Sequence, residues 1–401
     1  MFRALHERNF ALFWSGQFIS GTGTWMQTVA MAWLVLQVSE SAAVLGVVTM
    51  LQFLPMLLFV LPAGVVADRF PKWRILVAAQ SLAALQALVL GALLLFGSPQ
   101  IWQLSVLAST LGLSNAFNNP TQQAFIAEMV GRSLTSDAVA MNSVQFNATR
   151  MIGSGLGGLA VAQLPAYAVF FINSASFGAS LLALVLMRRS ELRRVQGEHS
   201  RGRGALREGL EFAFRTPAVF FILGMLAIVG TFGFNWPVAA PLIAEELLGA
   251  GPAGFGALMS ALGAGSLTAG TALVALGGGK ERRIIVSGAS LAVFLTGLGV
   301  SRSYPVSLVL MFLAGVTGTI FTTTVNTRLQ GLVPDRLRGR IMSLFVLLLI
   351  GSTPVGASLL GVGAETLGAA VTLAIFGAAT GLGLAVMAVV HWIRTTGADG
   401  Q

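Results

Sequence analysis

The feature that most constrains this chain is a succession of long apolar segments separated by short polar gaps. A helix needs about 20 apolar residues to cross the roughly 30 Å hydrocarbon core of a bilayer. Lipid offers the backbone no hydrogen bonds, so segments of this length are expected to cross it as α-helices. The candidate spans are 11–36, 44–66, 73–96, 103–126, 139–162, 166–187, 217–243, 253–276, 283–301, 305–327, 340–362 and 368–393. The sequence therefore predicts an all-α membrane protein with twelve transmembrane helices.

Composition argues against a soluble fold. Only 10% of the residues are charged and 55% are hydrophobic, whereas a soluble domain carries about 25% charged residues. A net charge of +9 would suggest nucleic acid for a soluble protein. Here the basic residues lie in the gaps between apolar segments, so we expect no nucleic-acid partner. The absence of cysteine excludes disulfides and thiolate metal ligands.

The basic residues also orient the chain. If the N-terminus is cytoplasmic, every Lys and Arg except Arg150 and Arg302 lies in a gap on the cytoplasmic side. This asymmetry follows the positive-inside rule. The opposite gaps carry Glu40, Glu245, Glu246 and Glu365. We therefore predict a multi-pass protein of the cell inner (plasma) membrane with both termini in the cytoplasm.

A faint internal repeat divides the chain into two halves. Gly153-Ser-Gly-Leu-Gly-Gly158 in the fifth span has a counterpart in Gly351-Ser-Thr-Pro-Val-Gly356 in the eleventh. A repeat displaced by six helices keeps its orientation in the membrane, as in transporters that hold substrate between parallel six-helix halves. The predicted units are an N-terminal six-helix bundle at 1–187, a cytoplasmic linker with a short interfacial helix at 188–215, and a C-terminal six-helix bundle at 216–401.

One charged motif lies between the second and third spans. Its pattern is Gly64-x-x-x-Asp68-Arg69-x-x-x-x-Arg74. Gly64 permits a close helix approach, and Asp68 near a helix end can pair with backbone N–H groups or with an arginine of a neighbouring helix. These residues form a candidate conformational latch. The alternative is a charged turn that only obeys the positive-inside rule.

Several further segments carry a family resemblance. They are Phe13-Trp-Ser-Gly-Gln17-Phe, Asn119-Pro120-Thr-Gln-Gln123-Ala-Phe125 and Arg338-Gly-Arg340-Ile-Met-Ser343-Leu. With the charged motif, they resemble the major facilitator superfamily, in the branch that contains enterobactin-type exporters and macrolide-efflux proteins. The resemblance implies two six-helix bundles and transport by alternating access. The chain departs from that branch at Asn118, where aspartate is common, at Gln122, where arginine is common, and at Ser154, where proline is common.

Polar side chains inside the apolar spans are the candidates for a substrate site. Spans 1, 4, 7 and 10 line the cavity in the superfamily that the chain resembles. The alternative role for such residues is hydrogen bonding between helices, which contributes about 0.6 kcal/mol on average. The predicted substrate-binding residues are Gln17, Gln27, Asn115, Asn119, Gln123, Arg150, Asn235 and Asn326.

Arg150 is the one basic residue inside a span of the N-terminal half. A charged side chain at the bilayer centre costs at least about 2.5–3.5 kcal/mol, so it should face water or a partner. One interpretation is a substrate contact or a gate charge. The other is a structural role, in which Arg150 snorkels to the cytoplasmic interface or pairs with Asp137 or Glu128.

The sequence predicts a secondary active transporter that exports small amphiphilic compounds, drugs or siderophore-like metabolites, by alternating access. An importer of a small metabolite or a lipid transporter on the same fold is the alternative. We do not expect an enzyme, because His6, His199 and His391 lie near the termini or in the central stretch and no paired carboxylates reach the midplane.

The expected partners are a small-molecule substrate and the lipid bilayer. We expect no cofactor and no metal, and a monomer. The chain has no Gly-x-x-x-x-Gly-Lys-Ser/Thr nucleotide loop, which argues against a primary pump. The coupling ion stays open, and protons are one candidate.

Overall fold

A computed structural model describes residues 2–193, 205–276 and 281–396, which form helices and short connections without a β-strand. The first helices are α1 (Arg8–Ser39), α2 (Ala42–Arg69), α3 (Lys72–Phe96), α4 (Ile101–Val130), α5 (Thr135–Gln163) and α6 (Ala166–Leu186). They are followed by α7 (Ala205–Arg215), α8 (Pro217–Ile228), α9 (Trp236–Leu242), α10 (Gly251–Leu276), α11 (Glu281–Val300), α12 (Tyr304–Leu332), α13 (Asp335–Gly351), α14 (Thr353–Leu367) and α15 (Ala369–Thr396). The prediction of an all-α fold is confirmed.

Where the structure describes them, short connections reverse the chain between successive long helices, so these connections gather at two ends of the bundle. We call one the acidic end, because it carries Glu40, Glu245, Glu246 and Glu365. We call the other the basic end. It carries the connections at 70–71, 131–134, 187–193 and 333–334, with their neighbouring Lys and Arg residues.

The helices pack in two groups. In the N-terminal half, α1 packs against α5 and α6, α2 against α4, and α3 against α4 and α6. In the C-terminal half, α12 packs against α10 and α11, and α15 packs against α8, α11 and α14. The short helix α7 lies against α8 and α13 at the basic end. The domain boundaries at 187 and 216 stay a prediction.

Two stretches that the sequence predicts as single spans are interrupted. Between α8 and α9 the chain forms a π-helical turn, Val229–Gly233, and Pro237 lies in the first turn of α9. A second π-helical turn, Ile243–Leu247, follows Pro241. The other interruption lies at Ser352, between α13 and α14. Proline has no N–H to donate, so it favours a break at or before its own position.

Part of the bundle is apolar enough to cross a membrane. In the described part of the chain, eight helical segments meet that requirement by length and composition, among them α3, α6, α11 and α15. Large apolar side chains on these helices are more than half exposed, including Leu182, Val293 and Leu382, as lipid contact requires. The helices α4 and α5 are not among the eight, which agrees with the amides of α4 and with Arg150 in α5.

Small residues bring the two halves together. The helix α5 packs against α10, and α2 packs against α14. A Cβ placed on Gly158 would lie 2.7 Å from Gly256 Cα, and one on Gly46 would lie 3.0 Å from Gly361 Cα. All four glycines lie toward the acidic end of their helices. The backbones of the two halves therefore approach closely at that end, as they also do at Gly263 and Met151 near the middle of α10 and α5.

This packing predicts the effect of an added methyl group. We expect Gly158→Ala to lower the free energy of unfolding by about 1–3 kcal/mol, the usual range for overpacking. The new Cβ would lie 2.6 Å from the carbonyl oxygen of Pro252. Gly178→Ala is the matched control, because no heavy atom lies within 4 Å of a Cβ there. Thermal unfolding of the purified proteins measures the difference, and equal Tm values for the two variants would contradict the prediction.

Candidate functional site

A carboxylate of the C-terminal half bonds to the N-terminal half at the acidic end. Glu365, in the last turn of α14, accepts a hydrogen bond from Ser41 Oγ at 3.0 Å and another from the backbone N–H of Ala43 at 3.3 Å. Both donors belong to the N-terminus of α2. A negative charge is favoured there because the first N–H groups of a helix are unpaired and its dipole is positive at this end. Glu365 therefore caps a helix of the opposite half.

Exposed polar side chains occur on several helices toward the basic end. No heavy atom lies within 4 Å of a Cβ placed on Gly64, which is in the last turns of α2. Polar side chains are exposed within otherwise apolar helices, namely Asn119, Gln123, Ser143, Thr323, Thr327 and Gln330. At 100° per residue, Asn119 lies about 220° around α4 from the exposed Val106. Its exposure is therefore on a different face of α4 from that of Val106.

Arg150 lies in the middle of α5, between these two ends. It is 15 residues from the start of the helix and 13 from its end, which corresponds to about 20 Å of helix on either side. Its Nη2 donates to Asn147 Oδ1 at 3.0 Å, and it also donates to Ser266 Oγ. Ser266 is a buried residue of α10. The guanidinium therefore joins the two halves.

Two aromatic rings flank the guanidinium. Its carbon lies 5.9 Å from the ring centre of Trp25 on α1 and 5.9 Å from that of Phe146 on α5. The two rings meet edge to face at 5.7 Å, and 54% of Phe146 is exposed. A cation within about 6 Å of an aromatic ring is attracted to its face. Arg150 is therefore held by two rings, one amide and one hydroxyl.

The carboxylates proposed as partners of Arg150 lie elsewhere. Lys72 Nζ donates to Glu128 Oε1 at 2.8 Å at the basic end. Asp137 lies thirteen residues before Arg150 on the same helix, a rise of about 20 Å. In the described part of the chain, no carboxylate pairs with Arg150.

Gln27 lies in a buried network inside the N-terminal half. Its Nε2 donates to Gln86 Oε1 at 2.9 Å, and its Oε1 accepts from Asn173 Nδ2 at 2.7 Å. These bonds join α1, α3 and α6. Both polar ends of the amide are therefore engaged with other helices of the same half.

Two further predicted residues keep one polar atom without a partner. Gln17 is buried, and its Oε1 accepts a bond of 3.4 Å from Ser20 Oγ, while its Nε2 has no acceptor. Asn235 lies at the break before α9, where its Nδ2 donates to the carbonyl oxygen of Thr231 at 2.6 Å and its Oδ1 has no donor. A Cβ on Gly356 would lie 2.6 Å from Asn235 Oδ1, so Asn235 packs directly on α14.

The other predicted substrate-binding residues lie on α4 and α12. Asn119 and Gln123 are exposed on α4, and Asn115 is half-buried one turn before Asn119. Asn326 is half-buried on α12, where its Oδ1 accepts from Gln330 Nε2 at 2.6 Å. None of them, and neither Gln17, Gln27 nor Asn235, hydrogen-bonds to Arg150.

A chain of neutral amides crosses three helices of the N-terminal half. Gln80 Nε2 donates to Asn118 Oδ1 at 3.1 Å, Asn118 Nδ2 to Gln122 Oε1 at 3.4 Å, and Gln122 Nε2 to Asn142 Oδ1 at 3.1 Å. Asn118 and Gln122 are the positions where charges are common in the family that the sequence resembles. Amides therefore join α3, α4 and α5 where charges were expected.

The latch residues lie at the basic end. Gly64 is in the last turns of α2, Arg69 is the last residue of that helix, and Arg74 is in the first turn of α3. Arg69 and Arg74 are exposed. The side chain of Asp68 lies outside the described residues, so the latch stays a prediction.

Sequence reasoning missed Ser266 and Glu365 as members of the site. Ser266 follows Leu262 by one turn of α10 and donates to its carbonyl oxygen at 3.0 Å, an ordinary arrangement for a serine in a membrane helix. Glu365 stood out only as one of the acidic residues opposite the basic gaps. Neither residue type carries a local signal for a contact between halves.

The Glu365 contact predicts a change in gating. Glu365→Gln keeps the shape of the side chain but removes a charge that contributes roughly 0.3–1 kcal/mol at a helix N-terminus. We expect the acidic end to open about two to five times more often, because 1.4 kcal/mol corresponds to a factor of ten. Ser260 of α10 donates to the carbonyl oxygen of Met151 on α5 at 2.7 Å, so it lies between the halves. A membrane-impermeant maleimide applied at the acidic end should then label Ser260→Cys faster. Glu40→Gln, which removes a charge from the same end, is the control, and equal labelling in both variants would contradict the prediction.

Comparison with known proteins places this architecture in a family. Residues 1–399 match the transmembrane secretion effector family of the major facilitator superfamily. The multidrug efflux pump Tap of Mycolicibacterium fortuitum is 27% identical over 366 residues, which cover 87% of each chain. The staphyloferrin A transporter of Staphylococcus aureus is 25% identical over 376 residues, 92% of each chain. The macrolide efflux protein A of Streptococcus pyogenes is 22% identical over 370 residues, 90% of each chain.

Solved structures show the same fold. The POT family transporter PepTSo has a TM-score of 0.75 at 13% identity, with 97% of this chain and 99% of that chain covered. The nucleoside transporter NupG has a TM-score of 0.72 at 12% identity, with 95% and 98% covered. The resemblance to the major facilitator superfamily is confirmed over almost the whole length. The chain belongs to the transmembrane secretion effector family of major facilitator transporters.

Proposed function

We propose that this chain is a secondary active exporter of small amphiphilic compounds, working by alternating access. The observation that carries the proposal is the hydrogen bond that joins the two halves at Arg150, with exposed polar side chains between it and the basic end. The relatives named as efflux proteins for drugs and macrolides support the direction. The predominantly amide-lined space supports a substrate with both polar and apolar parts.

We further propose twelve passes across the membrane. The helices α8 and α9 together form one pass, and α13 and α14 form another, so the interrupted helices complete the count. The basic end is cytoplasmic by the positive-inside rule. The exposed polar side chains then lie toward the cytoplasm, from which an exporter takes its cargo.

The proposed pathway leads from the exposed amides to Arg150. Asn119 and Gln123 on α4 and Asn326 on α12 lie on the basic side, and Arg150 lies at the midplane. The secondary candidates are Gln17 and Asn235, which each keep an unpartnered polar atom, and Asn115, which is half-buried one turn before Asn119. We leave Gln27 out of the pathway, since its amide is engaged with Gln86 and Asn173.

Transport in sealed vesicles tests the proposal. Inside-out vesicles containing the protein should accumulate members of a panel of amphiphilic drugs and siderophore-like compounds, and an imposed pH gradient should increase that accumulation. Vesicles without the protein are the control. Accumulation only in right-side-out vesicles would favour an importer, and no accumulation in either orientation would contradict transport of these compounds.

The latch hypothesis makes a separate prediction, which concerns the conformation that is closed at the basic end. Gly64 has open space around it here, so Gly64→Ala should leave the Tm unchanged. We expect it to lower the transport rate severalfold, because the added methyl group would obstruct closure of the basic end. Asp68→Asn should also slow transport, through loss of the charge that would hold the closed state.

Gly178→Ala is the matched control for Gly64→Ala, since it also adds a methyl group in open space. Rates are compared at equal protein level. Parental rates in both Gly64→Ala and Asp68→Asn would show that the motif acts only as a topology signal.

A further inference from the structure

We infer that Arg150 is an anion-binding residue, and that the preferred substrates are organic anions whose carboxylate is attached to an aromatic or apolar body. The inference rests on the proposed transport function and names the substrate class of that site. It is argued from the unused hydrogen-bonding capacity of the guanidinium, from the absence of a counter-charge, and from the rings that flank it.

The guanidinium of Arg150 has N–H donors that no acceptor in the described part of the chain engages. Arginine carries five N–H donors and no acceptor, and both hydrogen bonds of Arg150 use Nη2. Its Nε is buried and has no acceptor in the described part of the chain. A buried donor without a partner is unfavourable, so a ligand oxygen at this position would complete the site. A carboxylate suits a guanidinium because it can accept two parallel bonds.

No acidic side chain compensates the charge. In the described residues, the Asp and Glu positions lie in connections, in α7, or within the first or last turn of the spanning helices. Arg150 lies about 20 Å along α5 from either terminus. Its attraction to Trp25 and Phe146 does not neutralise it. A substrate anion would therefore supply the negative charge that the protein does not place at the midplane.

The flanking rings specify the rest of the substrate. Trp25 and Phe146 lie next to each other on one side of the guanidinium, each 5.9 Å from its carbon, and Phe146 is exposed enough to be covered by a ligand. An aromatic body bound against Phe146 would keep its carboxylate next to Arg150. Anions of the size of citrate that lack an apolar body would pair with the guanidinium but would not pack against the two rings.

The same contact links binding to the gate. Ser266 shares its hydroxyl among Arg150 and the carbonyl oxygens of Leu262 and Gly315. An arriving carboxylate competes with Ser266 for the guanidinium. Binding would thus weaken a bond that joins α5 to α10, one turn from Gly263, where a Cβ would lie 2.8 Å from Met151 Cα.

Binding of matched compounds to the purified full chain in nanodiscs tests the inference. The probes are aromatic carboxylates of one to three fused rings, beginning with 2-naphthoate, each paired with its neutral primary amide. Wild-type protein should bind acids at least tenfold more tightly than the paired amides. Arg150→Gln should remove this preference and leave amide binding within twofold, whereas Arg150→Lys should keep part of it.

Two other variants separate charge recognition from folding. Ser266→Ala keeps the guanidinium and removes its competitor, so acid binding should be equal to or tighter than in the parent. Arg302→Gln removes an arginine at the acidic end, which bonds only to the carbonyl oxygens of Gly299 and Ser301, and it should leave the preference unchanged. If Arg150→Gln does not fold, loss of the acid preference in Ser266→Ala, which keeps the guanidinium, decides against the inference.

The outcomes distinguish the inference from the proposed function. Equal binding of acid and amide to the parent protein, with vesicle transport of neutral compounds intact, would overturn anion recognition alone. An acid preference that survives in Arg150→Gln would place the anion site elsewhere and also overturn the inference. Absence of binding by every acid and amide, together with absence of transport in vesicles, would remove the proposed function itself.

Discussion

The two halves touch through small residues from the acidic end to the middle of the bundle, and the rest of the architecture depends on that contact. Gly158 meets Gly256 and Gly46 meets Gly361, so the backbones approach without interlocking side chains. Glu365 adds a charged hydrogen-bonding contact to the same end. Glycine contacts of this kind bring the two backbones close together. Because glycine has no side chain, these positions need no side-chain repacking when the halves separate.

Arg150 joins α5 to α10 at the middle of the bundle. A guanidinium at this depth is unfavourable unless polar groups or water surround it. Here an amide of its own helix, a serine of the other half and two rings do so. Because Ser266 lies one turn from Gly263 on α10, any ligand that draws the guanidinium away acts directly on the contact between the halves. Binding and closure therefore share the same few residues.

Residue type alone did not separate site residues from structural ones. Gln27 and Gln123 are both glutamines in apolar helices, and both were predicted to bind substrate. Gln27 is buried among α1, α3 and α6, whereas Gln123 is exposed on α4. The difference depends on which neighbour each side chain faces, and local sequence does not contain that information. The interruptions before Asn235 and at Ser352 were missed for a similar reason, since hydropathy does not change across them.

The sequence by itself determined the helical class, the sidedness of charge and the family. Each follows from one-dimensional quantities, namely the length of apolar segments, the placement of Lys and Arg, and motifs read in order. Only the tertiary structure decided where the glycines of the two halves meet, which amides are buried or exposed, and that Arg150 meets Ser266 across the halves. These contacts join residues more than a hundred positions apart, in helices whose rotation about their own axes is set by packing and not by hydropathy.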